Sequence, residues 1–140
     1  MATAPLIPRF FVDETLLSVA AALTALRNDV IHTGHPAIPE VPIGTQDEDW
    51  IPVVAAAGLI TIQRDRRILT RPGEKHLVVK HGLRIIRLAS KRDLNRWEYM
   101  RLLARDWDHI EDLIKELGDG PWVIKLLESK RPTYYRPEIR

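Results

Sequence analysis

Cysteine is missing from all 140 residues, which excludes disulfides, a thiol nucleophile and Cys-ligated zinc. A reducing compartment fits that absence, and a cytoplasmic location is expected. The opening MATAPLIPRFF has no basic region followed by an apolar run, and no uncharged apolar stretch is as long as a bilayer span, so no membrane association is expected. Nor is there a G-x-S-x-G elbow, a phosphate-binding P-loop or a G-x-G-x-x-G fingerprint, which removes most other α/β enzymes. None of His32, His35, His76, His81 and His109 forms the i, i+4 pair of a helical zinc site, so no histidine-bound metal is expected. Internal repeats and low-complexity tracts are also lacking.

What the chain does have is sorted charge. The net charge is only +2, but residues 1–63 carry −5, residues 64–92 carry +8 and residues 93–140 carry −1. An acidic block followed by a basic one suits a cation pocket beside a phosphate track. A solvated basic face on an ordinary domain is the plainer reading of the same charge.

Apolar runs without polar alternation predict buried strands over 9–12, 29–33, 59–62, 83–88 and 122–127. Helical spacing of apolar residues predicts helices over 15–28, 47–57, 72–81 and 95–117. Thr15 is expected to cap the first. Asn95 and Glu98 are expected to form a capping box for the last, with Trp97, Met100, Ala104, Trp107, Ile110, Ile114 and Leu117 as its core stripe. Pro52 places the start of regular bonding in the second helix close to itself, with Asp47, Glu48 and Asp49 at or just before the first turn. The alternation predicts a three-layer α/β/α sandwich with a mostly parallel sheet of about five strands, as one domain over 1–128 with an extended tail over 129–140. In that tail Tyr134 and Tyr135 lie among Lys130, Arg131 and Arg136, a mix that suits stacked bases, a protein partner or plain disorder.

Strands that run parallel deliver their carboxyl ends to one edge, where open α/β sheets bind ligands. Asp13 follows the first strand and Asp65 the third, while Asp47 opens the helix that emerges after the second. Hard oxygen ligands of this kind suit Mg²⁺ or Mn²⁺. Asp13, Asp47 and Asp65 are therefore the candidate catalytic and metal-ligating residues, with Glu14, Glu48 and Asp49 as candidates to complete the shell. Acids at a helix start have a simpler use as caps and dipole partners. Arg64, Arg66, Arg67, Arg71 and Lys75 are the candidate phosphate-binding residues, with arginine favoured for its forked donors.

The blocks RFFVDE, DEDWIPVV and LITIQRDRRILTRPGE together resemble the PIN-like family, in particular its branch related to VapC-type toxins of bacterial toxin–antitoxin pairs. The resemblance covers residues 9–125. It implies a PIN fold and a Mg²⁺- or Mn²⁺-dependent ribonuclease in which Asp13, Asp47 and Asp65 match the family's acids. RNA is then the substrate, an antitoxin the partner, and a homodimer common. Typical members carry a further acid shortly after the last one, where this chain has Arg66, Arg67 and Ile68, which leaves a fourth ligand, and with it a second metal site, unassigned. Two other readings stand beside the nuclease. One is a PIN-like module that binds without cutting. The other is a receiver-like phospho-acceptor, against which the arginines around Asp65 and the adjacent Ser90 and Lys91 both speak.

Overall fold

The computed structural model describes residues 5–138. Its six-stranded sheet has the order β2-β1-β3-β4-β5-β6, built from β1 (Phe10–Val12), β2 (Val30–His32), β3 (Ile60–Gln63), β4 (Arg84–Leu88), β5 (Trp122–Leu126) and β6 (Thr133–Tyr135). The first five strands are mutually parallel and β6 alone is antiparallel, paired with β5. The helices are α1 (Leu17–Leu26), α2 (Asp47–Ala56), α3 (Pro72–His81) and α4 (Arg96–Leu117), with short 3-10 turns at Glu14–Leu16 and Arg67–Leu69. The expected sandwich is therefore present, with one strand more than predicted. That strand comes from the C-terminal segment, whose Thr133–Tyr135 docks on the sheet edge although all three residues are exposed.

Two apolar layers explain why the strands read as unbroken runs. On one face Phe10, Val12, Ile60, Ile62, Ile86 and Ile124 pack against α1 and α4; on the other Phe11, Ile31, Ile85 and Val123 pack against α2 and α3. Alternate residues of each strand point to opposite faces, and here both faces are covered. Each fully buried Ile or Phe contributes about 2–3 kcal/mol through the apolar surface it removes from water.

Three local expectations are corrected. The buried stripe of α4 is Tyr99, Leu103, Asp106, Ile110 and Leu113, with steps of four, three, four and three and with Leu102 buried beside it, whereas Trp97 is 70% exposed and Ala104 is also exposed. Met100, Trp107, Ile114 and Leu117 only flank that stripe. Thr15 does not cap α1: its hydroxyl donates to Asp13 Oδ1 at 2.6 Å, while Asp13 precedes the 3-10 turn. And α2 is already regular from Asp47, with Pro52 in its interior. The capping box of α4 forms as expected, since Asn95 Oδ1 accepts from the Glu98 N–H and Glu98 accepts from the Asn95 N–H.

Candidate active site

Strand register brings the acids together. Val12 stands opposite Ile62, so the ends of β1 and β3 are adjacent, and the Asp13 N–H continues the ladder by donating to the Ile62 carbonyl at 3.3 Å. The chain then leaves the sheet at Asp13 and, on β3, at Arg64 and Asp65. Residues 33–46 after β2 fold over the same edge and hand the chain to the first turn of α2. A cavity of about 220 Å³ results, lined by Asp13, Glu14, Asp47, Asp65 and Glu74 together with Thr15, Thr33, Trp50, Arg67 and Arg71.

Each carboxylate has its own environment. Asp13 is 6% exposed, and burial pushes its carboxyl up to about 6 against the Thr15 hydrogen bond, helped by the charges of Asp47 and Asp65. Asp47 is also raised, first by burial, with Asp65 and Glu48 adding repulsion, while Trp50 Nε1 donates to Asp47 Oδ1 at 2.9 Å and opposes the shift. Burial acts on Asp65 too, but the Arg67 side chain and backbone N–H outweigh it and hold its pKa below the ordinary value. Glu74 is the acid the sequence reading missed. It comes from the first turn of α3 and is 9% exposed; Arg71 reaches its Oε1 at 3.3 Å, while Oε2 is buried without a partner. Burial leads in raising its pKa, and the charge of Asp47 adds to it.

The other candidates separate. Glu14 lines the cavity and its Oε2 accepts the Gly44 N–H at 3.2 Å. Glu48 and Asp49 are exposed and line none of the described cavities, because a helix turns 100° per residue and only one acid of a consecutive trio can face inward. Arg67 and Arg71 form part of the cavity wall, Arg64, Arg66 and Arg67 line an adjoining basic groove, and Lys75 lines neither. His35 stays outside the cavity, stacked edge-on against His32 with ring centres 5.1 Å apart.

Does this donor set fit Mg²⁺ or Mn²⁺? In kind it does: the donors are hard oxygens, one of them the orphaned Glu74 Oε2, and magnesium needs few direct protein ligands because it keeps several waters. Among the described residues no three His, Cys, Asp or Glu side chains form a ready-made metal-holding group, and Thr15, Trp50, Arg67 and Arg71 each take up one carboxylate.

A mostly parallel sheet with helices on both faces and acids pooled at its carboxyl edge defines an α/β protein with an acidic edge site. Comparison with protein families makes this specific: the model of the PIN-like domain matches residues 8–90, over half of the chain, and the chain belongs to that family, in which nucleases are common. The matched segment holds β1 to β4 and all five cavity acids, and leaves α4, β5 and β6 outside. A search of curated proteins finds no match, and a search of solved structures finds none. Among the described residues no helix is long and apolar enough to cross a membrane.

Proposed function

We propose that this chain is a Mg²⁺- or Mn²⁺-dependent endoribonuclease, acting as the toxin of a VapBC-type pair. The observation that carries the reading is the meeting of Asp13, Asp47, Asp65 and Glu74, from four separate places in the chain, in one cavity bordered by arginines. Burial raises the pKa values of Asp13, Asp47 and Glu74, the neighbouring acids add to it, and a bound cation would offset both effects. Asp13, Asp47, Asp65 and Glu74 would hold the ion, with Glu14 at the rim. When bound, the ion lowers the pKa of its water and stabilises the leaving oxygen of the scissile phosphate. The chain itself contributes position and charge: Arg64, Arg66 and Arg67 offer donors to phosphates beside the cavity. Thr15 fixes Asp13 and Trp50 fixes Asp47.

The VapC-type assignment rests on the resemblance of the acid-bearing blocks. It brings a cognate antitoxin that inserts an Arg or Lys among the acids, as Arg67 already does in cis at Asp65, and a homodimer. The test is cleavage of labelled RNA with Mg²⁺, with Mn²⁺ and with EDTA. Metal-dependent cleavage that falls more than about a hundredfold in Asp13→Asn and Asp65→Asn is expected. Cleavage that survives Asp13→Asn, or its absence with either metal, overturns the reading. The clasp of Arg67 on Asp65 favours one alternative, a PIN-like module that binds nucleic acid and does not cut. It predicts RNA binding that is indifferent to Asp13→Asn under every metal condition.

A further inference from the structure

Beside the acid cavity, and sharing Thr15, Asp65 and Arg67 with it, lies a larger groove of about 620 Å³. Its cations are Arg64, Arg66, Arg67, Arg87, Lys91 and Arg92; its only carboxylates are Asp65 and Asp93. Arg67 is spent on Asp65, and Arg92 is spent on Glu98 and Glu128. Among the described residues Arg64, Arg66, Arg87 and Lys91 form no ion pair, so four uncompensated cations line one concavity. Arg64 rests over the ring of Tyr99, 6.0 Å from its centre.

Arg87, which lines the groove from the end of β4, carries a second, independent sign. Arg87 stands directly opposite Gln63 on β3 and Lys125 on β5, so the three side chains share a sheet face at the carboxyl edge. Gln63 is 1% exposed and its Nε2 has no partner; the buried Nε of Arg87 also has none. Buried N–H donors are nearly always satisfied, and the orphaned Nε of Arg87, on a side chain that lines the groove, calls for an acceptor. Burial, with the like charge of Arg66, pulls the Arg87 pKa down, and only the weaker influence of Tyr135 opposes it. An oxyanion would answer both the orphaned Arg87 donor and the surplus charge.

We propose that this groove seats the sugar–phosphate backbone of the RNA, with Arg87 and Arg66 taking an internal phosphodiester next along the strand from the one presented to the acids. The position relative to the scissile bond rests on the nuclease reading. The phosphate subsite itself rests on Arg87 of β4, which lies outside the set of arginines singled out by the sequence, together with Arg66, which lies within it.

The test is anisotropy of a short fluorescent oligouridylate without a 5′-phosphate, bound to the full chain in EDTA over a series of KCl concentrations. Arg87→Gln is expected to weaken binding about tenfold and to flatten the slope of log K against log salt by about 0.7, the value for one lost contact on a single strand. Arg87→Lys should keep the slope. Arg66→Gln, at an exposed position where folding is not at stake, should flatten it as Arg87→Gln does. Unchanged affinity and slope in both glutamine variants overturns the proposal, as does an effect seen only with 5′-phosphorylated RNA, which would make the ligand a terminal phosphate. Adding Mn²⁺ to the same wild-type sample separates the two readings. RNA held with an Arg87-dependent slope yet never cut sinks the nuclease and supports the subsite, whereas RNA cut by a protein indifferent to Arg87 sinks the subsite alone.

Discussion

Asp13 and Asp65 share a cavity because Val12 and Ile62 stand opposite each other in neighbouring parallel strands. One residue past Val12 and three past Ile62 the chain turns off the sheet, and the two carboxylates meet above its carboxyl edge. They are not equivalent there. Asp13 is buried with a hydroxyl for company and is pushed toward its neutral form, while Asp65 is clasped by a guanidinium and stays charged. Two acids with pKa values driven apart by their surroundings are a recurrent feature of catalytic sites.

The first prediction concerns the pH dependence of stability in the metal-free protein. Asp13 has a folded pKa of about 6 against an ordinary 3.8, so the native state binds more protons than the unfolded state between those values. Stability from this group is greatest below the lower value, falls as pH rises through the window, and stays low above it. Asparagine cannot ionise. The stability gained by Asp13→Asn over wild type should therefore be near zero at the acid end and level off on the order of 2–3 kcal/mol above neutrality. Denaturant midpoints of both proteins in EDTA across pH measure this, and a difference that does not vary with pH would refute it.

The second concerns Glu74. Its Oε2 is buried and unpartnered, and its burial is not offset by the single contact to Arg71. If this carboxylate belongs to the cation site, Glu74→Gln should weaken Mn²⁺ binding about tenfold or more without loss of the thermal midpoint in EDTA. Titration calorimetry reads the affinity. Equal affinity in the two proteins would remove Glu74 from the site.

How much of this was legible in the sequence follows from how far each feature depends on pairing at a distance. The strands announce themselves as unbroken apolar runs, and Asp13 and Asp65 follow their strands directly, so the edge they share is fixed by the parallel order. Glu74 was hidden because an acid in the first turn of a helix is indistinguishable from a dipole partner; its place just after the arginine-rich exit of β3 was the available signal. Gln63 and Arg87 become neighbours only through strand register, which no local pattern reveals. Trp97 was assigned to the core because a tryptophan in an apolar pattern resembles packing, yet the α4 stripe runs through Tyr99 and Leu103. Thr133–Tyr135 lacks buried side chains altogether, so nothing but backbone pairing marks it as a strand.

The third prediction lies away from the site. Asp29, just before β2, accepts from Arg27 Nε and Nη2 at 2.8 Å each and from Arg9 at 3.3 Å; Arg9 in turn reaches Glu111 on α4 at 2.8 Å. The Arg27 hydrogen bonds lead in holding the Asp29 carboxyl below its ordinary range. A depressed acid stabilises the fold above its unfolded pKa and loses that contribution as pH falls through the folded value. Asp29→Asn should cost about 1–2 kcal/mol at neutral pH, a figure discounted because Arg9 and Arg27 are 42% and 31% exposed. The deficit should shrink as pH falls below the ordinary aspartate range. Paired urea titrations at neutral and acid pH decide it, and a deficit that grows on acidification would count against the assignment.

The last prediction is steric. Gly82 closes α3 in the left-handed conformation at φ 65°, and the loop before β5 crosses directly over it. A β-carbon on Gly120 would collide with the Gly82 carbonyl oxygen and lie 2.8 Å from its carbonyl carbon, both of them backbone atoms with no rotamer to yield. This crossing sets up the start of β4 against β5, where the Trp122 N–H donates to the Leu83 carbonyl at 3.4 Å. Gly120→Ala must therefore move one backbone segment and should cost about 2–3 kcal/mol. Gly73→Ala supplies the contrast: its β-carbon would meet nothing within 4 Å, it lies inside α3, and alanine there should stabilise by about 0.5–1 kcal/mol. Urea midpoints of the two variants should thus shift in opposite directions. If Gly120→Ala unfolds at or above the wild-type midpoint, the close approach of the two glycines is not a constraint on the fold.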